Sequence, residues 1–358
     1  MKIYTLTFSC TTNVGAALQE YALYKYLKNK EHKVSVINYY PIVLKNRLSS
    51  WSKFSNSSSI SDVAKQCILL PIDLYSKYKF YKFSKKYIEL TKRCNDISDI
   101  EELSQPDVYI AGSDQIWNLQ IVGNDKGFFL DLRTDARKIS YAGSIGKDDI
   151  DKKEQTQISK LIGKLDAVSV REYELQQILI NNGIVSTKLV LDPVFLLSKE
   201  DYVKIAKKQK YKNYILVYET ETNEIFSNLA RKIAKKKNLE IIQIYKINNV
   251  YKFNKVLPCI SPDEFLGLVL NADYILTNSF HGTALSIVLQ KQFYVVKLKS
   301  LFSRIDTLLK AANLEDRIIT ENVTNIRFDD FIDYNRVKTE LNPLIQESKK
   351  YLDKNTIM

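Results

Sequence analysis

The chain is poor in the residues that mark most specialised sequence classes. Its 358 residues include only 10 glycines and 7 prolines, which excludes collagen-like and low-complexity architectures. Histidine occurs only as His32 and His281, and that scarcity argues against a histidine-rich metal centre; no metal site is expected. The four cysteines, Cys10, Cys67, Cys94 and Cys259, show no C-x-x-C spacing, so a reduced chain is a simpler reading than a zinc site or a disulfide framework. No apolar run approaches the roughly 18–20 residues that a membrane-spanning helix needs. Met1-Lys2-Ile3-Tyr4-Thr5-Leu6 reads as a strand rather than a secretion signal, which leads to the expectation of a cytoplasmic protein.

What the chain has in excess is positive charge. Lys and Arg number 53 against 41 Asp and Glu, a formal net charge of +12, and all but ten of the cations are lysines. Runs such as Lys207-Lys208 and Lys235-Lys236-Lys237 read as solvated helix faces, or as attraction to anionic ligands or an anionic membrane surface. With no arginine stripe and no recognisable nucleic-acid motif, a nucleic-acid partner is not expected.

Apolar runs alternate with helical periodicity along most of the length. Residues 2–8, 34–39, 107–112, 138–142 and 167–170 read as strands, and helices are expected at about 15–27, 151–164 and 172–181. Ser49 to Ser61 reads as a serine-rich loop, followed by a Tyr/Lys/Phe-rich helical stretch to about Tyr87. After Leu189–Leu197 a second α/β series begins. Its strands are expected at 214–218, 239–245, 274–278 and 293–297, and its helices at 223–237, 263–271 and 283–290. The pattern predicts an α/β fold of two lobes, each with a mainly parallel, doubly wound sheet, and a cleft between them for ligands. The expected boundaries are 1–197 for the first lobe, 198–325 for the second and 326–358 for a C-terminal helical segment returning to the first.

Four strand-to-loop junctions carry the candidate chemistry: Asn13–Ala16, Gly112–Asn118, Ser140–Gly146 and Thr277–Thr283. In parallel sheets this edge is where ligands usually sit, and a helix N-terminus there attracts anions. None matches a P-loop or a dinucleotide fingerprint. His281 is a proton donor or a turn-capping residue. Asp114 is an acid/base group or an N-cap. Arg171, at a strand end, clamps an anion or pairs with Glu172 or Glu174, and Arg304 has the same two readings. Trp117 and Tyr141 stack on a sugar or belong to the core.

Taken in order, Asn13–Gln19, Gly112–Asn118, Ser140–Gly146, Ser169–Glu172, Leu191-Asp192-Pro193, Asn278–Thr283 and Ser303-Arg304-Ile305 resemble the polysaccharide pyruvyl transferase family over about residues 10–320. The resemblance implies a GT-B-like fold of two Rossmann-type lobes. It also implies transfer of a pyruvyl group from phosphoenolpyruvate, a co-substrate rather than a cofactor, to sugar hydroxyls of a bacterial surface polysaccharide precursor. Lipid-linked acceptors in that family imply a peripheral membrane encounter.

On this reading His281 is the general acid and Asp114 orients or deprotonates the acceptor. Arg171, Arg304, Ser279, Gly282 and Thr283 hold the donor, and Asn13, Gly15, Ser113, Gln115, Trp117 and Tyr141 line the acceptor side. Some branches carry Arg-Leu-His where this chain has Ser279-Phe280-His281, so the histidine is retained and the arginine is not. The alternatives are a GT-B glycosyltransferase using a nucleotide sugar and a non-catalytic scaffold of polysaccharide assembly.

Overall fold

The computed structural model describes residues 1–48, 60–147, 150–221, 224–244, 253, 255–297, 303–320 and 330–357. Most of the serine-rich stretch expected as a loop, through residue 59, lies outside them. The chain divides into two compact units: Met1–Leu197 with Leu344–Met358, and Ser198–Pro343.

The first unit is built on strands β1 (Lys2–Leu6), β2 (Lys33–Tyr39), β3 (Leu90–Cys94), β4 (Val108–Ala111) and β5 (Arg137–Ser140), all parallel, in the order β3-β2-β1-β4-β5. The interior strand β4 is buried along its whole length, as expected where helices cover both faces of a sheet. A short parallel pair, β6 (Ser169–Val170) and β7 (Lys188–Leu189), continues beyond β5 through isolated bridges at Ile139–Ala167 and Gly143–Val170. Helices α1 (Val14–Asn29), α2 (Ile42–Leu48), α3 (Ile60–Tyr87), α4 (Ile97–Glu101), α5 (Leu119–Val122), α6 (Lys152–Ile162) and α7 (Tyr173–Asn181) connect them.

The second unit repeats the plan. Strands β8 (Tyr214–Tyr218), β9 (Glu240–Ile244), β10 (Lys255–Leu257), β11 (Tyr274–Thr277), β12 (Gln292–Val296) and β13 (Ile318–Ile319) are parallel in the order β10-β9-β8-β11-β12-β13. Helices α8 (Lys199–Ile205), α9 (Glu224–Lys237), α10 (Pro262–Asn271), α11 (Phe280–Val288) and α12 (Ser303–Ala311) follow, and α13 (Tyr334–Asn355) begins in this unit and ends in the first. Ser198 opens α8 with a reciprocal capping box to Asp201, a local stop signal where one unit gives way to the next.

In each sheet the strand order reverses once, between β1 and β4 and between β8 and β11. Loops leaving the carboxyl ends of strands diverge at such a reversal and leave a crevice for ligands. Among the described residues no helix is long and apolar enough to cross a membrane.

Candidate functional site

At the reversal of the first sheet, the loop after β1 and the loop after β4 are tied together. The Thr7 hydroxyl donates to the Ser113 carbonyl at 2.7 Å and accepts from the Gln19 carboxamide at 3.0 Å. Asn13, exposed, caps α1 by accepting from the Ala16 amide at 3.1 Å, and Gly15 is buried in the first turn. Asp114 adopts φ +77°, a left-handed conformation uncommon outside glycine, and its carboxylate accepts from the Gln115 amide at 2.8 Å. Ala142, at the equivalent turn after β5, also has positive φ, at +53°. Strain held at two neighbouring strand ends is a mark of functional edges.

Behind Asp114 lies a buried charge cluster around Arg171, the residue that follows β6. Its Nη1 donates to Asp192 Oδ2 at 2.6 Å and to Ser113 Oγ at 3.1 Å, and its Nη2 donates to Ser144 Oγ at 3.2 Å. Asp114 Oδ1 and Glu172 Oε1 each lie 3.8 Å from the guanidinium. The Ser113 hydroxyl also donates to Asp192, and the Ser144 hydroxyl donates to Glu172. Burial opposes the charge on Arg171, but Asp192, Glu172 and Asp114 outweigh it and hold the group more firmly protonated than usual. The guanidinium read from the sequence as a donor clamp is thus engaged by the protein's own carboxyl groups. An incoming anion there would meet one cation and three carboxyl groups.

Trp117 and Tyr141, read as sugar platforms, are wholly buried. The Trp117 indole N–H donates to the Phe128 carbonyl at 3.2 Å, and its ring stacks on Phe129 at an interplanar angle of 14°. The Tyr141 hydroxyl donates to the Leu191 carbonyl at 3.0 Å. Protein occupies the surroundings of both rings, so they brace the edge from within. Gln115 is half-buried, accepts from the Asn118 side chain at 3.1 Å, and packs where any side chain on Gly146 would collide with it.

The second sheet's reversal carries His281. Helix α11 starts at Phe280, three residues earlier than its apolar periodicity suggests, because Ser279 caps it by accepting from the Gly282 amide. His281 therefore lies in the first turn, 8% exposed, at the positive end of the helix dipole. Thr283 and Ser286 turn their hydroxyls back onto the helix, at 3.0 Å to the Ser279 carbonyl and 2.7 Å to the Gly282 carbonyl. Gly282 allows a close crossing: a Cβ there would sit 2.4 Å from Thr277 Oγ1 and 3.0 Å from Tyr218 Cδ1.

Sequence reasoning missed the struts that hold this turn. Asn278 accepts from the Thr220 amide at 2.7 Å and donates to the Glu221 carbonyl at 2.8 Å, while Thr277 donates to the Tyr218 carbonyl at 2.6 Å. Arg304, half-buried at the start of α12, places its guanidinium carbon 5.8 Å from the Phe280 ring centroid, and the Phe280 ring meets the His281 ring edge-on at 5.2 Å. A histidine, a helix N-terminus and an arginine thus gather at the carboxyl edge of β11. Asp192 and Ser144 at the first sheet's edge, and Asn278 at the second, lie in the loop blocks singled out in the sequence, but their roles show only once distant loops are brought together.

Two parallel nucleotide-fold sheets, each with polar loops at its reversal, define the class of α/β proteins with two Rossmann-type units, the GT-B class. A solved UDP-N-acetylglucosamine 2-epimerase from Rickettsia bellii shares this fold, with 13% identity, a TM-score of 0.51, and coverage of 99% of this chain and 95% of that one. The UDP-GlcNAc 2-epimerase from Neisseria meningitidis bound to UDP-GlcNAc is more distant (12% identity, TM-score 0.48, coverage 100% and 95%), as is the E. coli heptosyltransferase WaaC with ADP (8%, 0.44, 98% and 100%). No curated protein sequence matches the chain. The profile of the polysaccharide pyruvyl transferase family matches residues 13–300, from the cap of α1 past β12, and the chain belongs to that family.

Proposed function

We propose that the protein transfers a pyruvyl group from phosphoenolpyruvate to two hydroxyls of one sugar in a surface-glycan precursor, forming a cyclic ketal. The observation that carries this reading is the grouping of His281, the α11 N-terminus and Arg304 in a chain of this family. Arg304 offers a cation where the family's Arg-Leu-His branches have an arginine and this chain has Ser279.

In the proposed reaction His281 protonates the enol CH₂ carbon, and the adjacent carbon develops oxocarbenium character. A sugar hydroxyl attacks that carbon and loses its proton. Inorganic phosphate then leaves, and a second hydroxyl of the same sugar closes the ketal with loss of its own proton. Atoms balance as phosphoenolpyruvate plus diol giving ketal plus phosphate. Arg304, Ser279, Gly282 and Thr283 would hold the donor's phosphate and carboxylate, using charge and the helix dipole. Asn13, Gly15 and Gln115 would flank the acceptor, while Arg171 and Ser113 hold Asp114 in place.

A ligand that binds only the folded state raises its melting temperature by mass action. Phosphoenolpyruvate is therefore expected to raise the melting temperature of the wild type and to raise that of His281→Ala less. A shift with UDP- or ADP-sugars alone would refute the reading and favour glycosyl transfer.

A further inference from the structure

Helix α3 turns an apolar face outward. Phe80 and Phe83 are buried, and Phe83 and Tyr87 meet Tyr21 of α1 at 6.1 and 6.0 Å between ring centroids, which fixes the inward side of the helix. On the opposite side Val63, Cys67, Pro71, Leu74, Tyr78, Tyr81 and Lys85 follow one another at intervals of four, four, three, four, three and four residues, and all are exposed. That spacing draws one straight ridge along a helix. Leu74, Tyr75, Tyr78 and Tyr81 expose 53, 54, 52 and 58% of their surface, an apolar and aromatic strip that a folded chain seldom leaves to water without use.

Lysines border the strip. Lys79, Lys82 and Lys85 each lie over the tyrosine four residues before them, at 5.1, 5.4 and 6.0 Å from the ring centroids of Tyr75, Tyr78 and Tyr81. Between Pro71 and Tyr87 there are five lysines and a single acid, Asp73, which sits off the ridge and is paired with Lys77 at 2.9 Å. The exposed strip therefore combines apolar side chains, amphipathic tyrosines and cations with no acidic residue among them.

We propose that this face of α3 is a docking surface for an anionic lipid bilayer, lying flat in the headgroup layer. Leu74 and the tyrosine rings enter the boundary between headgroups and acyl chains, and the lysines reach the lipid phosphates. A second copy of the chain fits this surface less well, because pairing two such faces would set lysine against lysine with no carboxylate between them. The proposal does not depend on the reaction proposed above.

The test is co-sedimentation of the full chain with phosphatidylcholine vesicles prepared with and without phosphatidylglycerol. The wild type is expected to sediment with the phosphatidylglycerol vesicles and much less with phosphatidylcholine alone. A lysine near an anionic surface is worth roughly a fivefold change in partitioning, so K82E/K85E is expected to bind at least roughly 20-fold more weakly. Y78S/Y81S is expected to lose about tenfold. Because all four side chains are exposed, both double variants should keep the wild-type circular dichroism and melting temperature. Wild-type sedimentation that ignores phosphatidylglycerol, or that neither double variant weakens, would overturn the proposal. So would a wild-type dimer in sedimentation equilibrium that Y78S/Y81S dissociates, since that would assign the strip to a second copy.

Discussion

Glu20, on α1, is a buried carboxyl group whose energetics can be measured directly. It is 2% exposed, and its Oε1 has no hydrogen-bond partner among the described residues. Desolvation raises its pKa from 4.5 to about 8. The folded state therefore binds the proton more tightly than the unfolded state, and stability falls as pH rises from the unfolded value through the folded one. At 1.36 kcal/mol for each unit of pKa difference, wild type should lose about 3 kcal/mol between about pH 5 and about pH 8 from this group alone. Glu20→Gln keeps the shape and has no proton to lose. Urea unfolding of both proteins across that range should show the variant gaining on wild type by about 3 kcal/mol, whatever constant offset the amide introduces. Cys10, whose buried thiol is pushed up to about 12, does not titrate within the window. Parallel stability curves for the two proteins would show that Glu20 is not a neutral buried acid, and would refute the reasoning.

The remaining predictions concern the two sheet edges. Gly282→Ala, whose Cβ would lie 2.4 Å from Thr277 Oγ1, is expected to cost about 1–3 kcal/mol in urea unfolding and to weaken any donor-dependent thermal shift. Asp114→Gly relieves a residue held at φ +77°, so it should gain about 1 kcal/mol in stability while the transfer rate, followed by phosphate release, falls. Arg171→Met leaves three carboxyl groups without their cation and should lose about 3–5 kcal/mol in urea unfolding. Arg304→Met should raise KM for phosphoenolpyruvate by far more than its loss of the Phe280 contact lowers the urea midpoint, a split that a purely structural arginine would not produce.

The fold was most legible where burial on both faces forces continuous apolar runs. Strands β1, β2, β4, β8, β11 and β12 all lie within or beside the runs that mark them in the sequence. Edge strands gave no such signal. In β3, Leu90-Thr91-Lys92-Arg93-Cys94, polar residues fill the centre, because a strand paired on one side only can leave much of itself in water. β10 and β13, of three and two residues, are too short for periodicity to register. The start of α11 was hidden for a different reason. Phe280, His281 and Gly282 are poor helix formers, and the first turn stands because Ser279 caps it and Thr277 braces it.

At the site, the sequence shows which residues stand at strand ends but not what charge surrounds them, and Arg171 turns on that difference. Its position after β6 suits an anion clamp, and nothing within a few residues of it reveals Asp192, 21 positions on, or Asp114, brought in by the loop after β4. Once those carboxyl groups are counted, an anion as highly charged as phosphoenolpyruvate has more to lose than to gain at the first sheet's edge. At the second sheet's edge Arg304 lies on Phe280, with a histidine beside it in the first turn of a helix, and Glu219 is engaged by the Gln243 amide at 2.7 Å. The carboxyl groups around Arg171, more than its place at a strand end, thus count against a donor anion at the first sheet's edge. Arg171 instead lies 3.8 Å from the carboxylate of Asp114, a residue held at φ +77° at the same edge.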